Sequence, residues 1–338
     1  MGEFELIEKF FKRPVRHAAL GVGDDCALLN SAPGMQMAIS TDMLVQGRHF
    51  FPDVDPYTLG HKALAVNLSD LAACGARPLA CTLALALPEA RSDWLEPFSR
   101  GLLDLADSYG CELIGGDTTQ GPLNICVTVF GEVPVGQALL RSGARPGDDI
   151  YVSGNLGDAH LALQAMLGHI AIPPAALATA RQRLEQPTPR IPLGMALRGV
   201  ASAAADVSDG LLGDLGHILK QSSVGATVDT SIAIHLLAAY ADPAGVNGHF
   251  GQEQWMALAL HCVLAGGDDY ELVFTAPVSR REDVAAAALE GDVAVTRLGQ
   301  IEAAPGLRLV DAKGVAVENR FASFDHFAAR KTTPDRAA

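Results

Sequence analysis

The chain alternates between short apolar runs and longer segments in which apolar residues recur every three or four positions. Four of the apolar runs are bounded by Gly, Pro or Asp and predict strands at 37–41, 79–87, 111–116 and 124–133. Residues 92–109 predict a helix, since Ser92 supplies an N-cap, acids occupy the first turn and Gly110 ends the pattern. The alternation of strands with helices indicates a mixed α/β fold.

The composition changes at residues 141–149, RSGARPGDD, where Gly, Pro and charged residues precede a new strand. A chain of 338 residues is long enough for two domains at roughly 150 residues each. We therefore predict an N-terminal lobe over 1–146, a C-terminal lobe over 147–330 and a small polar tail, expected to be disordered, over 331–338. In the second lobe the pattern predicts a helix near 157–167, a strand and a helix within 201–221 and a strand within 270–277.

The net charge and the cysteines narrow the class of function. A formal net charge of -14 argues against a nucleic-acid or anionic-membrane surface unless metal ions intervene. Six cysteines without a C-x-x-C pair are typical of reduced thiols in a cytosolic protein. The apolar run 79–87 is far shorter than the ~20 residues of a membrane-spanning helix, and the acidic start does not resemble a signal peptide. We therefore expect a cytoplasmic protein.

Aspartates follow apolar or Gly-rich segments at the ends of the predicted elements. They are Asp24, Asp25, Asp42, Asp70, Asp117, Asp206, Asp209, Asp268 and Asp269. A single Asp beside Gly or Ser is most often a turn former or a helix cap, so it is their number that indicates a site. Converging carboxylates repel one another unless cations lie between them, and Mg²⁺ favours such oxygen ligands.

Glycine-rich turns beside these acids would let backbone N–H groups approach phosphate oxygens. Acids, a metal ion and such turns together suggest chemistry on a nucleoside triphosphate. The chain contains no G-x-x-x-x-G-K-[ST] sequence, which argues against a P-loop enzyme. The pair Gly21 and Gly23 also lacks the third glycine of a dinucleotide-binding fingerprint.

Eight motifs occur in an order that resembles the thiamine-monophosphate kinases, which belong to the superfamily that includes aminoimidazole ribonucleotide synthetase. They are GEFELI, GVGDDCALL, AISTDMLVQGRHF, ALAVNLSDLAACGARP, LIGGDTTQGP, RSGARPGDDIYVSG, DVSDGLLGDLGHI and GGDDYELVF. The resemblance runs from about Gly2 to Phe327, nearly the whole chain. It implies an α/β (α+β) fold of two lobes like that of aminoimidazole ribonucleotide synthetase, with an N-terminal mixed sheet and helices that dimerises and a C-terminal α/β lobe.

The resemblance also implies a homodimer that uses ATP and several Mg²⁺ ions to phosphorylate thiamine monophosphate to thiamine diphosphate. The family's metal ligands fall on Asp25, Ser40, Thr41, Asp42, Asp70, Asp117, Asp206 and Asp209. Its nucleotide contacts fall on Tyr109, Gly116, Asp117, Arg141 and Ser208, and its substrate contacts on His49, Asp268 and Phe321. Asp42, Asp117 and Asp209 are expected to be essential for catalysis. Two positions depart from the family's usual pattern, because Asp268 stands where Glu is common and Phe321 where Trp is frequent.

The implied reaction needs no general base. The acceptor is a phosphate monoester with a second pKa of about 6, so it is mostly dianionic at neutral pH. Its approach to ATP is opposed by charge, and metal ions between the acids would relieve that repulsion and hold the in-line geometry. We expect direct transfer without a phosphoenzyme. Two alternatives stay open from the sequence: another ATP-dependent synthetase of the same superfamily, or a non-catalytic regulator that binds Mg²⁺ and nucleotide.

Overall fold

The computed structural model describes residues 2–23, 25–241, 250–322 and 324. Asp24 and the tail 331–338 therefore lie outside the described residues. The described chain forms two β-sheets with helices packed on them. Among its helices, none is both long enough and apolar enough to cross a membrane.

The first sheet is built from the N-terminal part of the chain. Its elements are α1 (Glu3–Phe10), β1 (Met35–Val45), α2 (Pro56–Ala73), β2 (Arg77–Leu87), α3 (Ser92–Tyr109), β3 (Glu112–Gln120) and β4 (Asn124–Pro134). The strand order is β1-β4-β2-β3, with β4 antiparallel to both neighbours and β2 parallel to β3. All four predicted strands are confirmed. Helix α3 has the predicted bounds, although Ser92 is its first residue rather than its cap.

The second sheet follows in the C-terminal part. Its elements are β5 (Asp149–Ser153), α4 (Asp158–Met166), α5 (Pro174–Glu185), α6 (Ile191–Ala196), β6 (Ala203–Val207), α7 (Leu211–Ser222), β7 (Gly225–Asp229), α8 (Thr230–Ala233), α9 (Gln252–Ala265), β8 (Glu271–Ala276), α10 (Arg281–Glu290), β9 (Val295–Glu302), β10 (Gly306–Val310) and β11 (Ala316–Val317). The order is β11-β10-β7-β9-β5-β8-β6. The predicted helix near 157–167 corresponds to α4, the segment 201–221 to β6 and α7, and the last predicted strand to β8.

Helix α2 lies at the centre of the molecule; the sequence-based prediction expects helices between the strands but gives no bounds for this one. It begins at Pro56, where the side chain of Asp55 accepts hydrogen bonds from the N–H groups of Tyr57 (2.8 Å) and Thr58 (3.2 Å). The helix contacts β1 and β4 on one side, α3 on another, and α6 and β6 of the second lobe on a third. Because it is covered on several sides, its apolar residues form no single stripe, and the helical period is hidden.

The two lobes share one apolar core. Leu64 of α2 and Phe98 of α3 belong to the same buried cluster as Tyr151 and Phe274 of the second sheet. The rings of Tyr151 and Phe274 are stacked, with centroids 5.3 Å apart. This shared core fixes α2 against both sheets, and so it positions any side chain that α2 presents where the lobes meet.

Candidate active site

A cavity of about 420 Å³ lies where β1 and α2 of the first lobe meet the loops after β6 and before β8 of the second. We call it the acid cavity. Five aspartates line it: Asp42, Asp70, Asp206, Asp209 and Asp268. Asp42 belongs to β1, Asp70 to α2, and Asp206 to β6. The fold thus brings together acids that are far apart in the sequence.

Hydroxyl groups hold two of the lining carboxylates. Ser40 Oγ donates to Asp70 Oδ2 at 2.5 Å, and Ser69 Oγ donates to Asp206 Oδ2 at 2.9 Å. Ser40 and Asp42 share one face of β1, since side chains alternate along a strand. Asp42, Asp70 and Asp206 take part in none of the ion pairs found among the described residues. Each of these three acids therefore lacks a cationic side chain as a partner in that part of the chain.

Two acids of this cavity, Asp42 and Asp206, have a raised pKa and so bind protons more tightly than ordinary carboxylates do. Burial, with a further contribution from the charge of Asp70, raises the pKa of Asp42 to about 7 and the pKa of Asp206 to about 8. A set of oxygen ligands with uncompensated charge fits Mg²⁺. As they stand, no three acid, thiol or imidazole groups of the described residues are close enough together to hold a metal ion. A bound ion would therefore have to draw these carboxylates closer to one another.

Two glycine-rich turns pack against each other at the base of the cavity. Asp214 of α7 fixes the first turn, because its Oδ2 accepts hydrogen bonds from the N–H groups of Ser208 and Asp209, both at 3.1 Å. The N–H of Asp268, in the second turn, donates to the carbonyl oxygen of Ser208 at 2.9 Å. A Cβ atom on Gly267 would lie 2.4 Å from that carbonyl oxygen, so the close approach of the two turns requires glycine there.

The second turn holds two residues in a strained backbone conformation. Asp268 has φ 68° and Tyr270 has φ 53°, in the left-handed region that residues other than glycine seldom adopt. The hydroxyl of Tyr270 donates to Asp268 Oδ1 at 3.2 Å, and Lys62 Nζ lies 2.7 Å from the same oxygen. Backbone strain of this kind clusters at functional sites, where the surrounding structure maintains it.

A second, smaller cavity of about 210 Å³ adjoins the acid cavity. We call it the apolar pocket, because much of its wall consists of Phe50, Phe51, Val54, Leu59, Leu163, Leu167 and Leu184. It shares Arg48, His49, Leu163 and Asp268 with the acid cavity. Two of the predicted substrate residues, His49 and Asp268, are thus placed at the boundary between the two cavities. His49 is oriented by a hydrogen bond of 3.0 Å from the N–H of Val45 to its Nδ1.

Two histidines that the sequence analysis did not single out also line the acid cavity. The rings of His160 and His261 have centroids 5.4 Å apart. Burial, followed by the neighbouring His261, lowers the pKa of His160 to about 4, and burial also lowers the pKa of His261. Both imidazoles are therefore uncharged near neutral pH, and they do not offset the charge of the acids.

A third depression, of about 720 Å³, lies at the β3 edge of the first sheet and contains Asp25, Gly116 and Asp117. We call it the edge groove. Through the pairing of β3 with β2, β2 with β4 and β4 with β1, Asp117 is in register with Met43. Because side chains alternate along a strand, Asp42, the residue before Met43, points to the other side, and Asp117 lies on the sheet face opposite to Asp42. We call that opposite face the outer face. The structure therefore divides the predicted metal ligands into two groups that do not meet within one chain.

Three further predicted residues lie outside the lining of the acid cavity. Thr41 points to the outer face, where its hydroxyl lies 2.8 Å from that of Thr128. Tyr109 donates a hydrogen bond of 2.8 Å from its hydroxyl to the carbonyl oxygen of Pro189. Arg141 is exposed in the loop before β5. Burial raises the pKa of Asp214 to about 7, and the positive charge of Arg141 opposes that rise. Arg141 therefore lies near the turn that contains Ser208.

The aromatic residue at the C-terminal side of the acid cavity is not the predicted one. Phe321 packs against the apolar core of the second lobe, with its ring centroid 6.3 Å from that of His261, and is not part of the cavity lining. Phe324 lines the cavity, and the guanidinium carbon of Arg48 lies 5.0 Å from its ring centroid. The sequence offers one clue to Arg48, which directly precedes His49 in a quoted motif, and none to Phe324.

Comparisons with known proteins identify relatives over nearly the whole length of the chain. The family model described as "AIR synthase related protein, N-terminal domain" matches residues 23–133, and that of the corresponding C-terminal domain matches residues 145–312. Thiamine-monophosphate kinase of Salmonella typhimurium is 47% identical over 333 residues, which are 97% of this chain and 98% of that protein.

Solved structures give the same result. A crystal structure of thiamine-monophosphate kinase from Stenotrophomonas maltophilia is 43% identical, has a TM-score of 0.80 and covers 93% of this chain and 96% of its own. A structure described as AaThiL complexed with AMPPCP and TMP is 30% identical, has a TM-score of 0.73 and covers 88% of this chain and 89% of its own. The fold expected from the sequence, with two lobes like those of AIR synthase, is thereby confirmed.

Proposed function

The chain belongs to the thiamine-monophosphate kinase family, and from this premise we propose that it transfers the γ-phosphoryl group of ATP to thiamine monophosphate at the acid cavity. The observation that supports this location is the group of acids at the junction of the lobes, next to a pocket of apolar residues. Phosphates with their metal ions fit the first cavity, and an organic ring system fits the second. The product is thiamine diphosphate.

The faces of α2 indicate how thiamine monophosphate is oriented. Leu59 and Lys62 of this helix line the apolar pocket, and Val66 and Asp70 line the acid cavity. At 1.5 Å per residue, Lys62 and Asp70 are roughly 12 Å apart along the helix axis. We propose that the two rings of thiamine lie at the Lys62 end and that the phosphate lies at the Asp70 end, with His49 and Asp268 at the boundary.

The acids of the cavity hold the reacting phosphates without acting as a base. In this proposal Asp42, Asp70, Asp206 and Asp209, with Ser40, form one set of oxygen ligands for Mg²⁺. Magnesium ions, when bound, would neutralise the charge of the phosphates. The acceptor phosphate already carries its nucleophilic oxygen as an anion at neutral pH, so the residues contribute by fixing its position for in-line attack. Ser208 and the nearby Arg141 then lie on the side from which the nucleotide approaches.

A homodimer would reunite the two groups of predicted metal ligands. Ile39 and Met43 are 60% and 52% exposed on the outer face of the first sheet, and β1 and β3 are its two edge strands. Two such sheets that pack by their outer faces, with β3 of one copy beside β1 of the other, would leave no open edge. In that arrangement the edge groove of one copy, with Asp25 and Asp117, lies beside β1 of the other copy, whose Thr41 is on the same outer face and directly precedes Asp42. We propose that Gly116 and Asp117 contribute to the nucleotide site in this way.

The predicted domain division and location are retained as proposals. Strand β4 ends at Pro134 and β5 begins at Asp149, which supports a boundary at 146/147. All six cysteines are free thiols, which supports a reducing compartment such as the cytoplasm. Tyr109 and Phe321 stay predictions as ligand contacts, since neither lines the acid cavity.

The direct test is to incubate the purified protein with ATP, Mg²⁺ and thiamine monophosphate and to measure thiamine diphosphate by chromatography. We expect formation of thiamine diphosphate, and none from unphosphorylated thiamine, which lacks the acceptor phosphate. Failure to form it would reject the proposed function. In a second measurement, γ-labelled ATP without acceptor should leave no label on the protein; a trapped phosphoprotein would contradict direct transfer.

A further inference from the structure

Lys62 is a buried cation that no motif of the sequence accounts for. Its side chain is 5% exposed, and its Nζ lies 2.7 Å from Oδ1 of Asp268, whose side chain is 33% exposed. Lys62 belongs to α2 of the first lobe and Asp268 to the turn before β8 of the second. The ion pair therefore joins the two lobes at the boundary between the acid cavity and the apolar pocket.

The geometry around Asp268 leaves its two carboxylate oxygens in different situations. Lys62 and the hydroxyl of Tyr270, at 2.7 Å and 3.2 Å, both approach Oδ1. The main chain of Asp268 is fixed at φ 68° and by its hydrogen bond to Ser208. Among the described residues, no hydrogen bond to Oδ2 accompanies these contacts. A carboxylate held by one oxygen has its second oxygen fixed in direction, and because Asp268 lines both cavities, that oxygen is available to a ligand there.

The chemistry of the substrate explains why a fixed direction of the Asp268 carboxylate is useful. Thiamine monophosphate carries a cationic thiazolium ring between its aminopyrimidine and its phosphate. In the orientation proposed above, that ring passes Asp268, while the phosphate reaches the region of Asp70. A free carboxylate in this position could turn toward the metal ions of the acid cavity. A carboxylate anchored by Lys62 instead keeps its second oxygen for the cation of the substrate.

We propose that Lys62 is a positioning residue for thiamine monophosphate, acting through Asp268; this inference rests on the proposed function. Lys62 sets the direction of the Asp268 carboxylate, and the carboxylate holds the thiazolium ring. The acceptor phosphate is then placed at a fixed distance along α2. Since Lys62 lies roughly 12 Å from Asp70 along α2, it affects binding of the acceptor and not binding of ATP.

The test is a steady-state comparison of Lys62→Met with the wild type, using Lys313→Met, the same replacement at an exposed turn, as the matched control. For Lys62→Met we expect the KM for thiamine monophosphate to rise about tenfold, as for loss of a hydrogen bond to a charged group. The KM for ATP should change less than about twofold, because Lys62 is distant from the proposed ATP site and distant sites with no shared partners act independently. Lys62→Arg, which retains the charge, should show a smaller rise, and Lys313→Met should behave as the wild type.

A second variant, Asp268→Asn, tests the same interaction from its other side. Asp268 is more exposed than Lys62, so this test does not require a replacement at a buried position to fold. Asp268→Asn should raise the same KM, and adding Lys62→Met to it should cause little further change, because both replacements disrupt one interaction. An unchanged KM for thiamine monophosphate in folded Lys62→Met, or an equal rise in the KM for ATP, would overturn the inference. If Lys62→Met does not fold, Lys62→Gln is measured in the same way, with the same two outcomes. Failure of the proposed function is distinct, since the wild type would then form no thiamine diphosphate at all.

Discussion

Asp206 and Glu271 are buried carboxylates on neighbouring strands of the second sheet, and their surroundings are opposite in kind. Glu271 has Arg183 Nη2 at 2.7 Å, Arg190 Nε at 2.6 Å and the hydroxyl of Ser153 at 2.6 Å. Asp206 accepts a hydrogen bond from Ser69, and burial with the charge of Asp70 raises its pKa to about 8. Removing one member of a buried ion pair is strongly destabilising, whereas a buried acid with a raised pKa and no cationic partner identifies a candidate ligand site.

The same contrast occurs within the single motif GGDDYEL. Asp268 faces the two cavities, and both carboxylate oxygens of Asp269 accept the N–H of Gly157 at 2.9 Å, while Glu271 is enclosed by arginines. Three acids within four positions thus have three roles. The comparison between Asp206 and Glu271 predicts opposite effects on stability when a charge is removed. Stability should be kept or gained among the acids of the cavity, and it should be lost where arginines surround the acid.

The largest effect is expected for Asp42→Asn in the acid cavity. Loss of an electrostatic group that acts on the reacting phosphates should lower kcat about a hundredfold to a thousandfold. The melting temperature without Mg²⁺ should stay the same or rise, because repulsion by Asp70 and Asp209 is relieved. Turnover and thermal unfolding are measured on the same preparation, with Asp93→Asn on the exposed surface of α3 as the control. Near wild-type kcat at saturating Mg²⁺ would remove Asp42 from the proposed ligands.

Glu271→Gln should show the reverse pattern. This replacement leaves Arg183 and Arg190 without their common partner in a buried position, and breaking such a pair costs about 3 to 5 kcal/mol of unfolding free energy. The matched control is Glu318→Gln, whose pair with Arg320 is exposed and should contribute no more than about 1 kcal/mol. Chemical denaturation measures both. Equal losses for the two variants would mean that burial and partner number do not distinguish these acids.

The sequence predicts the strands and the acids of the site better than it predicts which of these acids lie together in space. The strands at 79–87 and 124–133 are correct because apolar runs bounded by turn residues have a local cause. The bounds of helix α2 are not predicted, since a helix covered on several sides shows no apolar stripe. The quoted motifs name Asp42 and Asp117 alike.

What separates these two acids is a property of the sheet. Asp42 and Asp117 lie on opposite faces because of the register of β1, β4, β2 and β3, which is set by pairing between distant strands. Likewise, Lys62 becomes relevant only when the fold places it 2.7 Å from Asp268, more than 200 positions away in sequence. Contacts of this kind depend on tertiary packing and leave no local pattern.

The smallest effect expected is on thermal stability when ligands occupy the acid cavity. A ligand that binds only the folded state adds about 2.7 kcal/mol at a hundredfold excess over its Kd. We expect a clear rise in melting temperature with Mg²⁺ and a non-hydrolysable ATP analogue together, a small rise with Mg²⁺ alone and almost none with the analogue in chelator. An equal rise with the analogue in chelator would show that nucleotide binding needs no metal between the acids and the phosphates.

The pH dependence of this rise tests the same acids. The pKa of Asp42, about 7, and that of Asp206, about 8, lie above the value of 3.8 for an ordinary aspartate, so in the absence of metal both groups favour the folded state at low pH. That contribution is lost progressively as the pH rises from the ordinary value of 3.8 to the folded-state pKa values of about 7 and about 8, so the protein without metal should melt at a lower temperature at pH 8.5 than at pH 6. Metal ions bind deprotonated carboxylates, so the increment from Mg²⁺ and analogue should be larger at pH 8.5. In Asp42→Asn, which lacks one of the two titrating groups, the difference between the two pH values should shrink; an undiminished difference would assign it to other residues than the acids of the cavity.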